Sequence, residues 1–171
     1  MGIAGRQADV REAVEEDFAK IWDIYRKVVD EGLYTPSMRG QMNRDMRESL
    51  ELGEGSEAGY TTLLCEVDGQ VVGYATIEES IWDLSRHVCE LGIAILPEFR
   101  RIGVGSALLD SLIQVASKKG FEKITLSVFH TNKNAISLYR KFGFKRVGRK
   151  KRQFKFKGHY VDEVIMEKFI D

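Results

Sequence analysis

The stretch LPEFRRIGVGSALL, Leu96 to Leu109, joins an apolar segment to an apolar helix through two arginines and two glycines. Glycine costs roughly 1 kcal/mol against alanine in a helix, so Gly103 and Gly105 at the start of one need a reason. The first helical turn has N–H groups without internal partners and carries partial positive charge. Phosphate oxygens fit such a turn, and glycine lets them come close to the backbone. Arg100 and Arg101 add charge-assisted contacts, so the stretch reads as a pyrophosphate seat. A nucleoside-triphosphate P-loop would need a lysine after its second glycine, and none follows here. The dinucleotide fingerprint fails too, with Leu108 at its third glycine.

Working outward, residues 8–14 read as a strand and residues 15–31 as an amphipathic helix. Phe18, Ile21, Trp22, Tyr25, Val28 and Val29 recur there at three- and four-residue steps. A polar stretch through residue 59 is expected to hold a second helix between two loops. Strands over 60–67 and 70–79 pair across Asp68-Gly69, a strong hairpin signal. A strand over 87–96, a helix over 104–120, a strand over 123–129 and a short helix over 134–142 follow. Two closing strands, 145–156 and 160–170, meet at Lys157-Gly158. This is an α+β (mixed α/β) layout, a mixed sheet with interleaved helices and strand–helix–strand crossovers in its second half.

The 171 residues are expected to form one domain, 1–171, with 43% hydrophobic and 30% charged residues as in an ordinary globular protein. No run of eighteen apolar residues is present, which excludes a membrane-spanning helix. The first residues lack the apolar core of a secretory signal, and Arg6 stands where a myristoylation signal wants Ser or Thr. Cys65 and Cys89 lack metal-ligand spacing and read as reduced structural thiols of a cytoplasmic protein. Net charge is zero by cancellation: residues 1–98 hold nine Lys/Arg against twenty Asp/Glu, residues 99–171 seventeen against six. Such segregation implies two surfaces of opposite sign.

RRIGVG, Arg100 to Gly105, matches the Gln/Arg-x-x-Gly-x-Gly/Ala signature of the GNAT superfamily of N-acetyltransferases. LGIAILPEF resembles the strand before that signature, and NKNAISLYRKFGFKRVG its second block, Asn-x-x-Ala-x-x-Leu-Tyr-x-x-x-Gly-Phe. KFKGHYVDEVIM is similar to the ending of members acting on small amines, including polyamine and amino-acid acetyltransferases. The resemblance implies a mainly antiparallel sheet flanked by helices, with acetyl-CoA held where two parallel strands splay and no metal. It implies a pyrophosphate on the backbone N–H groups of Arg101, Ile102, Gly103, Val104, Gly105 and Ser106, with Arg100 alongside. It places a pantetheine arm beside Ile93, Ala94 and Ile95, since the arm's amides pair like a short peptide strand. Asn132 falls on the family's pantetheine-contacting asparagine; it also reads as a helix N-cap.

Transfer from a thioester needs a neutral amine, and alkylamines with pKa near 10 arrive protonated at neutral pH. A nearby carboxylate can take that proton. Glu90 is the candidate base, a glutamate amid Val88, Cys89, Leu91 and Ile93 on a strand, where glutamate is depleted. Its position also matches the acidic residue of several small-amine acetyltransferases. Some relatives carry a glutamate on the later strand, where this chain has Ser127. Tyr139 occupies the family's tyrosine and would protonate or hydrogen-bond the departing thiolate; it also reads as a core aromatic. His130 is a reserve base, and an acyl-enzyme on Cys89 is a remote alternative.

Acceptors in this superfamily lie opposite the cofactor, which nominates Glu31, Tyr34 and Thr35 after the first helix, then Glu78, Glu79 and Asp83. The acidic first half suits a small cationic primary amine, a polyamine or amino-acid derivative; a protein acceptor is the alternative. A rival reading takes the eight Lys/Arg between Lys145 and Lys157, with interleaved phenylalanines, as a nucleic-acid-binding hairpin. Analogy also allows a homodimer through these strands.

Overall fold

A computed structural model describes residues 2–3, 5–32 and 60–170. Eight strands form one sheet in the order β1-β2-β3-β4-β5-β6-β8-β7. They are β1 (Gly2–Ile3), β2 (Arg6–Glu12), β3 (Tyr60–Val67), β4 (Gln70–Glu79), β5 (Val88–Ile95), β6 (Lys123–Phe129), β7 (Lys145–Phe156) and β8 (His159–Phe169). Neighbours are antiparallel except β5 and β6. Among the described residues three helices pack on it: α1 (Phe18–Glu31), α2 (Val104–Lys118) and α3 (Lys133–Lys141). The helix expected before residue 60 lies outside the described residues.

Both hairpins turn where the sequence places them. Asp68 and Gly69 have φ of 52° and 79°, and Lys157 and Gly158 have 46° and 83°, the left-handed pairs that match strand twist. The first helix starts at Phe18, where its apolar period begins, rather than at residue 15 as expected, because residues 15–17 wind as a 3-10 turn. Asp17, 2% exposed, explains this. Its carboxylate accepts from the Val14 N–H at 3.2 Å and from both terminal nitrogens of Arg11 at 2.6 and 2.9 Å. Those hydrogen bonds from Arg11 hold the Asp17 carboxyl far below the usual range, against the pull of burial.

The sheet buries both faces. On one, Cys89, Leu91, Ile124, Leu126, Val164 and Met166 meet Val104, Leu108 and Leu112 of α2 and Ile136 and Tyr139 of α3. On the other, Leu64, Tyr74, Ala94 and Leu96 meet Ile21, Ile24, Tyr25 and Val28 of α1. Alternation along β5 therefore sends Cys89 and Leu91 to the α2 face, and Glu90 and Ala94 to the α1 face.

Candidate active site

β5 and β6 pair only from Val88–Glu90 to Lys123–Thr125. Beyond that β5 stays on β4 as far as Ile95, while β6 stays on β8. The strands part, leaving an open wedge inside the sheet. The Leu96 N–H donates to Val72 O at 2.9 Å, which sets the phase of the ladder. Glu90, Gly92 and Ala94 aim their backbone groups at β4, and Leu91, Ile93 and Ile95 aim theirs into the wedge. Ile93 thus presents both N–H and C=O as expected. Ala94 does not, and its expected backbone role is corrected by this phase. At Ile95 only the N–H remains, because its carbonyl accepts from Arg100 Nε at 2.9 Å.

At the foot of the wedge the chain turns into α2. Arg101 has φ of 66° and Gly103 of 113°, a left-handed pair that folds successive amides toward one point. None of the six N–H groups from Arg101 to Ser106 donates to a backbone carbonyl among the described residues; the α2 ladder begins with Ala107 on Gly103 O at 3.0 Å. The two glycines have different reasons. Gly103 is needed for its φ. A Cβ on Gly105 would stand 2.9 Å from Leu138 Cδ2 and 3.2 Å from Ile95 Cδ1, so Gly105 admits α3 and β5.

The arginines divide similarly. Arg100 forms a two-pronged bond to Glu31 at 2.6 and 2.8 Å, each side chain about a quarter exposed. This corrects two expectations, Arg100 as a phosphate contact and Glu31 as an acceptor contact, since each neutralises the other. Arg101 donates to Asn134 Oδ1 at 2.9 Å and stays exposed at the rim. Asn132 caps α3, accepting from the Ala135 N–H at 3.1 Å.

On the α1 face, the register aligns Tyr60, Glu78, Glu90, Thr125 and Glu167 in one row across β3, β4, β5, β6 and β8. Glu90 is solvent-exposed, yet desolvation by the surrounding protein first, and then the charge of Glu163, push its carboxyl above its ordinary value, against an opposing pull from Lys150. Glu163, absent from the sequence reading, is buried on β8 and accepts a hydrogen bond from the Ser127 hydroxyl. Lys150 Nζ lies 2.8 Å from its other oxygen. Tyr139 enters from the opposite face, 4% exposed, with its ring 5.8 Å from Phe144. Burial raises its phenol well above the usual value. Glu90, at the last paired rung of β5 and β6, is therefore on the α1 face, and Tyr139 is in the core of the α2 face. Cys89 is fully buried and its thiol pushed up to about 12 by burial, which removes it as a nucleophile at neutral pH.

Asp83 lies in an exposed loop, paired with Arg86 at 2.9 Å, and Tyr34 and Thr35 lie outside the described residues. Glu78, directly across from Glu90, is the nearer acidic neighbour. His130 accepts the Asp162 N–H on Nδ1 at 3.0 Å. Among the described residues no His, Cys, Asp or Glu are grouped as metal ligands, and no helix is long and apolar enough to cross a membrane. The basic hairpin packs two of its aromatics, Phe154 and Phe156, partly against the protein, while Tyr160 is exposed. Phe154 packs on Phe129 at 5.1 Å, and Phe156 fills the space over Gly32 that a Cβ would need. Arg149 holds Asp162, and Arg152 and Lys155 lie over Tyr160. The stacking half of the nucleic-acid reading has no free rings in Phe154 and Phe156.

The model of the acetyltransferase (GNAT) family matches residues 12–144. An L-amino acid N-acetyltransferase of Escherichia coli K12, AaaT, is 34% identical over 109 residues, 63% of this chain and 67% of that protein. An N-alpha-acetyltransferase of Sulfolobus acidocaldarius is 38% identical over 101 residues, 53% of this chain and 60% of that one. These matches span about two thirds or less of the curated relatives. An acetyltransferase of the GNAT family from Streptococcus pneumoniae superposes with a TM-score of 0.84 at 27% identity, covering 96% of this chain and all of that one. A phosphinothricin acetyltransferase from Sinorhizobium meliloti, solved in complex with AcCoA, gives 0.84 at 27% identity over 95% and 88% of the two chains.

Proposed function

Because this chain belongs to the acetyltransferase (GNAT) family, whose model spans residues 12–144, we propose that it moves the acetyl group of acetyl-CoA directly onto a primary amine. The acceptor is a small cationic molecule, Glu90 receives the proton, and Tyr139 serves the leaving thiolate. One observation carries the reading: strands β5 and β6 part directly above six adjacent amides that have no backbone acceptor among the described residues. A diphosphate fits the amides, and the amides of a pantetheine arm fit the edge formed by Leu91, Ile93 and Ile95.

Acetyl-CoA supplies an activated acyl carbon. The amine lone pair attacks it, the C–S bond breaks with its electrons going to sulfur, and the nitrogen proton passes to Glu90, directly or through water. A carboxyl raised by desolvation and a neighbouring negative charge is a better proton acceptor than an ordinary one, provided it is ionised. Tyr139, with its phenol raised by burial, stays protonated and donates a hydrogen bond to the thiolate rather than surrendering its proton readily.

Glu78 beside Glu90 and the acidic first half of the chain favour a positively charged acceptor. The amino-acid specificity in the name of the bacterial relative supports an amino-acid derivative, with polyamines as the neighbouring class. A second reading, acetylation of a protein N-terminus, has the archaeal relative in its favour. Thiol release with spermidine, L-amino acids and N-terminal tetrapeptides separates the two. Within that assay Glu90→Gln is expected to lower kcat about 100-fold, leave acetyl-CoA affinity unchanged and recover in part at alkaline pH. Wild-type turnover by this variant at neutral pH removes Glu90 from the mechanism.

A further inference from the structure

We propose that Glu163 is a positioning residue for the base: fixed by Ser127 and Lys150, it holds a permanent negative charge on the wall facing Glu90 and so sustains Glu90 as a proton acceptor. The inference rests on the reading of Glu90 as the base and adds a residue to it.

β8 alternates, with Val164 and Met166 in the α2 core and Glu163, Ile165 and Glu167 on the other face. The register carries that face across β6 through Thr125 and Ser127 to Glu90. β6 offers only hydroxyls there, so the carboxylate on that wall comes from β8. Glu163 is 8% exposed, and a carboxylate so enclosed persists only with partners. One oxygen accepts from the Ser127 hydroxyl, and the other, without a well-aligned hydrogen bond, pairs by charge with Lys150 Nζ at 2.8 Å. Burial pushes the Glu163 carboxyl up, but Lys150 and Ser127 together outweigh it and leave it below the usual range. It is therefore charged at neutral pH.

The pair is lopsided. Lys150 is half exposed, so water screens its charge, whereas the carboxylate is held within the wall. Among the described residues, the charged and titratable groups turned to this face are Tyr60 from β3, Tyr74 and Glu78 from β4, Glu163 from β8, Glu167 tied to Lys123 at 2.5 Å, and Lys150 and Lys145 from β7. From α1 the buried side is Ile21, Ile24, Tyr25 and Val28. Glu163 raises and Lys150 lowers the Glu90 carboxyl, in that order of size. Removing Glu163 thus withdraws the negative charge and frees Lys150, and both changes act in the same direction.

The test follows Glu90 by carbon-13 NMR of glutamate-labelled protein, its carboxyl signal assigned by loss in Glu90→Gln. Glu163→Gln is expected to lower the Glu90 inflection by roughly 0.5–1 pH unit, and Ser127→Ala by less. With spermidine, L-phenylalanine and an alanyl tetrapeptide as probes, kcat falls about 3–10-fold while KM for acetyl-CoA holds. In the Glu90→Gln background Glu163→Gln has no further effect on kcat. An unmoved inflection in a variant with unchanged thermal melting overturns the proposal, as does an undiminished loss of kcat in the Glu90→Gln background. Should Glu163→Gln fail to fold, Ser127→Ala decides by the same inflection. Failure of the underlying reading looks different, since Glu90→Gln then turns over like wild type.

Discussion

Replacing Gly105 by alanine separates a ligand's demands on that glycine from the protein's own. The added Cβ would stand 2.9 Å from Leu138 Cδ2 and 3.2 Å from Ile95 Cδ1, whereas carbon atoms rest at about 3.5–4.0 Å. Leu138 can yield by rotation, but it is wedged between α2 and α3, and overpacking of this kind costs about 1–3 kcal/mol. Against this, alanine returns up to about 1 kcal/mol of helix propensity, less in a first turn. The balance is a loss of about 1 kcal/mol, or about 2–4 °C in Tm for a chain of this size. Because both clashes come from protein side chains, acetyl-CoA affinity should change less than about threefold, roughly 0.6 kcal/mol. Calorimetric titration and thermal melting of the same preparation check both halves. A tenfold weaker Kd at unchanged Tm refutes the packing account and returns Gly105 to the phosphates.

Three other outcomes follow from the same contacts. Asp17→Asn should cost about 2 kcal/mol at neutral pH, because it removes the charged, buried acceptor of two Arg11 hydrogen bonds and leaves Glu66 as the remaining carboxylate on that guanidinium. The folded-state pKa of Asp17 is depressed, so its contribution is full above the unfolded value near 4 and fades as pH falls below that; melting curves of variant and wild type should converge in acid, and parallel curves would contradict this. Arg100→Gln and Glu31→Gln should each lower Tm, with the double variant no worse than the poorer single, and strictly additive losses would mean the two residues are uncoupled. Cys65 and Cys89, both fully buried and raised to about 11 and 12, should resist iodoacetamide in the native protein at pH 7.5; rapid alkylation of the folded state would contradict their burial.

Local features were readable from the chain because their causes are local. Asp68-Gly69 and Lys157-Gly158 announce their turns by the φ values they tolerate, and α2 and α3 by apolar spacing. The amides from Arg101 to Ser106 follow from being a helix start. What could not be read depends on register or on distance. Arg100 and Glu31 are 69 residues apart, and each reads alone as a free charge. Ala94 differs from Ile93 only in ladder phase, which a single strand does not carry. Glu163 stands in a strand whose alternation is blurred by Ile165 on its own face, so YVDEVIM reads as a plain closing strand. The one available signal was a glutamate between Val161 and Ile165, two positions of the same parity.

Among the described residues, three pairs, Val88–Lys123 through Glu90–Thr125, are the strand rungs joining β1–β5 to β6–β8. The two halves of the sheet thus share a short seam and a continuous core on the α2 face, and a guest lying in the cleft would add backbone bonds where the strands part. At a hundred times its Kd such a guest adds about 2.7 kcal/mol to the folded state. On the proposed function, the melting temperature should therefore rise as acetyl-CoA is added.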